Sequence, residues 1–170
     1  MAFAIGAKAQ DAIKDAQAFE KVLEKVVADY PQSFKNIRGD IVMEDEEEVR
    51  YASLVEFPGV NDCLISTSLD VKKKVKWEAM VYSSADFNEA AEKYKELHAQ
   101  LIASDFLITG KTKSKLKGKL ILPDKADTFT STLYRLSPVN NAYRNCGIEL
   151  ELVNILDEWK LNIRVGAVSE

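Results

Sequence analysis

The chain has 170 residues, 46% of them hydrophobic and 29% charged, with a formal net charge of -4. A chain of this length closes over one core and buries roughly 70% of the surface its unfolded form exposes, so it needs neither a metal nor a disulfide to fold, and its composition excludes wholesale disorder. The acidic balance, with a pI near 5.2, argues against a nucleic-acid binder, which normally carries a basic face. No stretch approaches the ~20 apolar residues that span a bilayer.

The first ten residues differ from the next ten. Ala2 to Ala7 form an uncharged apolar run, and Ala7-Lys8-Ala9 matches the small-x-small pattern read by signal peptidase, with cleavage before Gln10. The expectation is a signal-peptide remnant at 1–9, a mature domain at 10–170 and an extracytoplasmic location, periplasmic or secreted. The plainer alternative is the frayed start of an Ala-rich helix.

From Asp11 to Tyr30, apolar residues at Ile13, Ala16, Phe19, Leu23, Val26, Val27 and Tyr30 recur in steps of three and four, the stripe of an amphipathic helix. Pro31 ends it, because proline loses a helix bond and clashes with the previous turn. A short helical turn is expected through Phe34 and Ile37, with Gly39 as its left-handed cap. That reading also takes Gly39 out of the adhesion-like tripeptide Arg38-Gly39-Asp40. The acidic run "EDEEEVR" at 44–50 reads as a solvated loop, and "KKKVK" at 72–76 as a hairpin turn.

Strands are expected at "YASLVEF", "CLISTSL" and "VKWEAMVY", the last with Val75, Trp77, Ala79 and Val81 on one face. Asp86 then caps a second helix, with Glu89 reaching back as in a capping box. Phe87, Ala90, Ala91, Tyr94, Leu97, Leu101 and Ile102 mark its buried face as far as Ser104. Further strands follow at "GKLIL", "TFTSTLYRL", "CGIELELVNIL" and "WKLNIRV". Turns and not helices link them, so the meanders are antiparallel.

An internal echo runs through this order. "LVEFPGVNDC" followed by "WEAMV" resembles "LYRLSPVNNAYRNC" followed by "WKLNI"; Cys63 precedes Trp77 by fourteen residues and Cys146 precedes Trp159 by thirteen. Each copy follows a helix, which suggests tandem units at 11–84 and 85–167. Against this, the loop lengths differ and the remainder aligns poorly.

Few residues offer chemistry. Cys63 and Cys146 are the only cysteines; outside the cytoplasm they form one candidate disulfide, and otherwise they are two core thiols. Lys111, Lys113, Lys115, Lys117 and Lys119 fall at every second position, which on a strand sends all five to one side. Such a row is a candidate anion-binding stripe, or more simply a guard against edge-to-edge pairing. His98, the only histidine, fits a half-buried, hydrogen-bonded helix residue better than a catalytic or metal-binding one. No phosphate loop, dinucleotide fingerprint, clustered Cys pairs or Gly-x-Ser-x-Gly elbow occurs, and no cofactor is implied.

The fold expected is α+β, an antiparallel sheet of six to eight strands with two main helices on one face; two separate small sheets are the alternative. The order of one helix then a meander resembles that of small secretion-chaperone and TATA-binding-type folds, in topology only, and topology carries no function with it. The function expected is a non-catalytic extracytoplasmic binding or interaction module. Its partner is a protein or an anionic surface, met at the open sheet face or its edge, with Tyr51, Tyr82 and Tyr134 as contact candidates. A carrier of a small apolar ligand between helices and sheet is one rival. A hydrolase whose carboxylates converge only in three dimensions is the other.

Overall fold

Asp15 starts the first helix by turning its carboxylate onto the backbone N–H groups of Gln17 and Ala18, both at 3.1 Å. These residues belong to a computed structural model that describes residues 15–60, 62–70, 72, 74–108 and 113–168; the expected signal remnant and the start of the first apolar stripe lie outside them. Helix α1 (Ala16–Asp29) buries Phe19, Leu23, Val26 and Val27 along its stripe. Pro31 then sits in a single tight turn, Tyr30–Gln32. The left-handed backbone that follows falls on Ser33 (φ 54°) and Phe34 (φ 56°). The helical turn expected to end at Gly39 does not form. Gly39 lies within strand β1 (Arg38–Glu44), where a Cβ would come within 3.1 Å of the Ala52 carbonyl oxygen.

The acidic run is a hairpin. The Asp45 carboxylate accepts from the N–H groups of Glu47 (2.8 Å) and Glu48 (2.9 Å), turning β1 into β2 (Glu48–Ser53). Strands β3 (Cys63–Ser68) and β4 (Val75–Ser84) complete the first meander. Helix α2 (Phe87–Ala103) is capped as expected by Asp86, which accepts from Asn88 and Glu89 N–H groups at 2.7 and 3.2 Å. Glu89 does not close a capping box directly. It accepts from the Ser84 hydroxyl (2.9 Å), which in turn accepts from the Asp86 N–H (3.0 Å).

After α2 come β5 (Asp105–Phe106), β6 (Ser114–Lys117), β7 (Phe129–Ser137), β8 (Cys146–Ile155) and β9 (Glu158–Ala167). All nine strands form one antiparallel sheet, in the order β1-β2-β3-β4-β9-β8-β7-β6-β5. The two-sheet alternative therefore falls. The count exceeds six to eight because β1 and the two-residue β5 are added, while "GKLIL" is no strand and β6 lies just before it.

Each helix precedes one meander, and the last strands of the two meanders, β4 and β9, meet at the centre of the sheet. The inward pairs of that ladder run Trp77↔Val165, Ala79↔Ile163, Tyr82↔Leu161 and Ser84↔Trp159. The two tryptophans thus hold the outermost, mutually symmetric places. The cysteines break this symmetry. Cys63 lies across from Ala79, whereas Leu161, the symmetric counterpart of Ala79, lies across from Leu152.

Both helices cover the same face and share one core with both meanders. Phe57 stacks on Phe19 (5.1 Å between centroids) and meets Trp77 edge-on (5.8 Å), and Phe87 meets Trp159 (4.9 Å). Buried polar atoms find partners there: the Trp77 indole N–H donates to the Ser53 hydroxyl at 2.9 Å, and the Tyr94 and Thr132 hydroxyls lie 2.7 Å apart.

Candidate functional site

The strand alternation that sends Trp77, Ala79, Ile163 and Leu150 toward the helices sends their neighbours to the other face. Among the described residues that face carries no helix. Strand register lines its side chains up in transverse rows. One row runs Leu64, Glu78, Arg164, Glu149, Leu133 across β3, β4, β9, β8 and β7; the next runs Met80, Asn162, Glu151, Ser131.

Arg164 is the hub of these rows. Its Nε donates to Glu78, and its Nη1 donates to Glu151 at 2.5 Å. Lys76 stands 3.8 Å from the Glu78 carboxylate. Glu151 is only 3% exposed although no helix lies over it, and Ser66 and Asn162 are buried on the same face. Polar side chains sink this deeply on an uncovered face only where their neighbours rise around them. The bulge between Met80 and Tyr82 adds local twist to the centre of the sheet. Burial pushes the Glu151 carboxyl above its ordinary range, and the attraction of Arg164 only partly offsets this.

Two hollows flank Arg164. One, of about 370 Å³, has Glu78, Glu151, Lys160 and Asn162 with an apolar rim of Leu64, Met80, Phe129, Val153 and Ile155. The other, of about 280 Å³, is lined by Glu48, Ser66, Ser68, Lys74, Lys76, Glu149 and the cross-strand glycines Gly147 and Gly166. The first offers apolar contact beside carboxylates, an ammonium and an amide; the second offers ammonium, hydroxyl and carboxylate groups.

The site residues expected from sequence lie elsewhere. Cys63 and Cys146 are free, buried thiols. They stand on β3 and β8 with β4 and β9 between them, so three strand spacings, about 14 Å, separate them before any offset along the strands. That exceeds the ~7 Å reach of a disulfide, so the candidate bridge is not made and the two are core thiols, the alternative reading. Burial pushes the Cys63 thiol up to about 11 and the Cys146 thiol up to about 12. Lys113, Lys115, Lys117 and Lys119 are all exposed, while Ser114 and Leu116 between them are buried; Lys111 lies outside the described residues. Lys113 and Lys115 stand 3.6 and 3.5 Å from Asp105, which favours the edge-guard reading. Tyr82 and Tyr134 are buried in the core and cannot meet a partner, and the half-buried Tyr51 has the Arg38 guanidinium over its ring at 4.4 Å. His98 is the half-buried, bonded residue expected: its Nδ1 lies 2.7 Å from the Tyr134 hydroxyl, and burial pulls its pKa down.

Sequence reading did not find Glu78, Glu151 and Arg164. A signal was present, since each is a charge at an outward position of an apolar strand, in "WEAMV", "IELELV" and "LNIRV". Only the register between strands brings the three together. Among the described residues no group of acidic, His and Cys side chains is placed to hold a metal ion, and no helix is long and apolar enough to cross a membrane. Comparison with protein-family models, curated proteins and solved structures gives no match. The likeness to secretion-chaperone and TATA-binding-type folds is therefore one of element order.

Proposed function

We propose that the protein is a non-catalytic binding module that takes a protein partner on the uncovered face of its sheet. The observation that carries this reading is the Glu78–Arg164–Glu151 group, sunk between two hollows on a face that no helix covers. Fixed charges flanked by apolar side chains give a partner both orientation and contact area. Photo-crosslinking residues at Met80 and Phe129 test it, with exposed Glu96 on α2 as control, in extracts of cells that express the protein. The same partner captured at both sheet positions and not at Glu96 is expected. Equal capture at all three, or none at the sheet face, rejects the reading.

A hydrolase is the second reading, favoured by the meeting of Glu78 and Glu151 at a guanidinium with the Glu151 carboxyl raised. Both carboxylates are already engaged by Arg164, so the binding reading is preferred. We extend the proposal to location. The Ala7-Lys8-Ala9 pattern supports export, and a mature N-terminus at Gln10 found by terminal sequencing is the expected outcome. The symmetric places of Trp77 and Trp159 in the central ladder support a tandem origin for the two halves.

A further inference from the structure

The two margins of the sheet are built differently. At one side β5 is only two residues long and the neighbouring β6 carries exposed Lys115 and Lys117, the usual defences of a strand edge. At the other side β1 runs seven residues. It has neither Lys nor Pro, and Ile41 and Val42 are 54% and 55% exposed in its middle. Among the described residues no strand faces its outer backbone groups. Bulges between Arg38 and Ile41 and between Ile41 and Met43 distort the pairing of β1 with β2. Two copies of the same bulged strand still match in length along their outer edges.

Charge then selects a partner. The segment begins basic, with Lys35 and Arg38, and ends acidic, with Glu44, Asp45, Glu46 and Glu47. We propose that β1 pairs antiparallel with β1 of a second copy of this chain, about a two-fold axis at Ile41. This register sets Arg38 opposite Glu44 and Ile41 opposite Ile41. Arg38, Ile41 and Glu44 all sit across from inward residues of β2, Ser53, Tyr51 and Val49, so the opposed side chains lie on one face. A parallel pairing would set like charge against like. The antiparallel one is closed and self-complementary, as two-fold contacts are. This inference is independent of the function proposed for the uncovered face.

Sedimentation equilibrium of the full chain over a range of concentrations, up to about millimolar, tests the pairing. The expected result is a mass that rises from one chain to two. Ile41→Lys places two ammonium groups on the axis and gives a monomer. Arg38→Glu and Glu44→Arg each weaken association by about tenfold, and the double variant, which restores opposite charges across the axis, recovers it to within about twofold. Circular dichroism checks that each variant folds; if Ile41→Lys does not, the charge series decides. A single-chain mass at every concentration overturns the proposal. So does a dimer indifferent to Ile41→Lys, or a double variant no stronger than the single ones, as would follow if Arg38 mattered only through its stacking on Tyr51.

Discussion

Glu151 and Arg164 are bound to each other yet differently placed: the Glu151 side chain is almost wholly buried, while Arg164 keeps about a third of its own exposed. Removing the guanidinium strands a buried carboxylate, so Arg164→Ala should cost about 3 kcal/mol in urea unfolding at pH 7.5. Glu151→Gln behaves differently. Because the folded-state pKa of Glu151 is raised, its contribution is most favourable when protonated and declines as pH climbs through that raised value. The Gln variant should therefore match the parent near pH 4 and exceed it in stability at pH 7.5. A loss at pH 7.5 would mean that the ion pair outweighs the cost of burial. The thiols give a third test. With Cys63 and Cys146 buried and pushed to about 11 and 12, a thiol reagent should label neither in native protein at pH 8 and both in denaturant. His98 could be read from helix spacing, whereas the sequence left the cysteines open between a bridge and two core thiols until the strand order separated them. The Arg164 hub could not, because it joins positions 78, 151 and 164 through strand register alone.

Among the elements, the long amphipathic ones were legible and the marginal ones were not. Periodicity marked α2 to within a residue of its ends, since Asp86 both starts the stripe and caps it. β1 escaped because its apolar residues are exposed at an edge, so Gly39 and the acids after it suggested a cap and a loop. "GKLIL" misled in the opposite sense: Ile121 and Leu122 are apolar yet exposed, and the pairing segment lies upstream, where Lys alternates with buried Ser114 and Leu116. The turn between β8 and β9 is a further case. Leu156 (φ 53°) and Asp157 (φ 64°) are both left-handed, in a two-residue hairpin of the kind that favours Asn-Gly. Leu156 is 95% exposed and gains no burial in return. Replacing Leu156-Asp157 by Asn-Gly should raise stability by about 1 kcal/mol, read as a higher urea midpoint with unchanged slope.

For the whole molecule, the α+β class, the single antiparallel sheet and the helices on one face followed from alternation and stripes, whereas the β4–β9 ladder that joins the two meanders at the centre of that sheet did not. Both halves also contribute to one core. Unfolding should accordingly be one transition, although the chain reads as two units. Single-tryptophan variants Trp77→Phe and Trp159→Phe, each reporting one half by fluorescence, should unfold in urea with the same cooperativity at every wavelength, and in each the fluorescence and far-ultraviolet dichroism curves should coincide. Separated curves would mean that the halves melt apart.

The unequal margins of the sheet bear on how the protein survives at high concentration. Fibrils lengthen because every added strand offers the next a fresh template. Here the stubby β5 and the lysines beside it leave one side sealed, so any joining at β1 uses up the one long open margin among the described strands and stops there. Erasing the lysines, not the apolar strand, is the change that would turn a self-terminating molecule into one that polymerises.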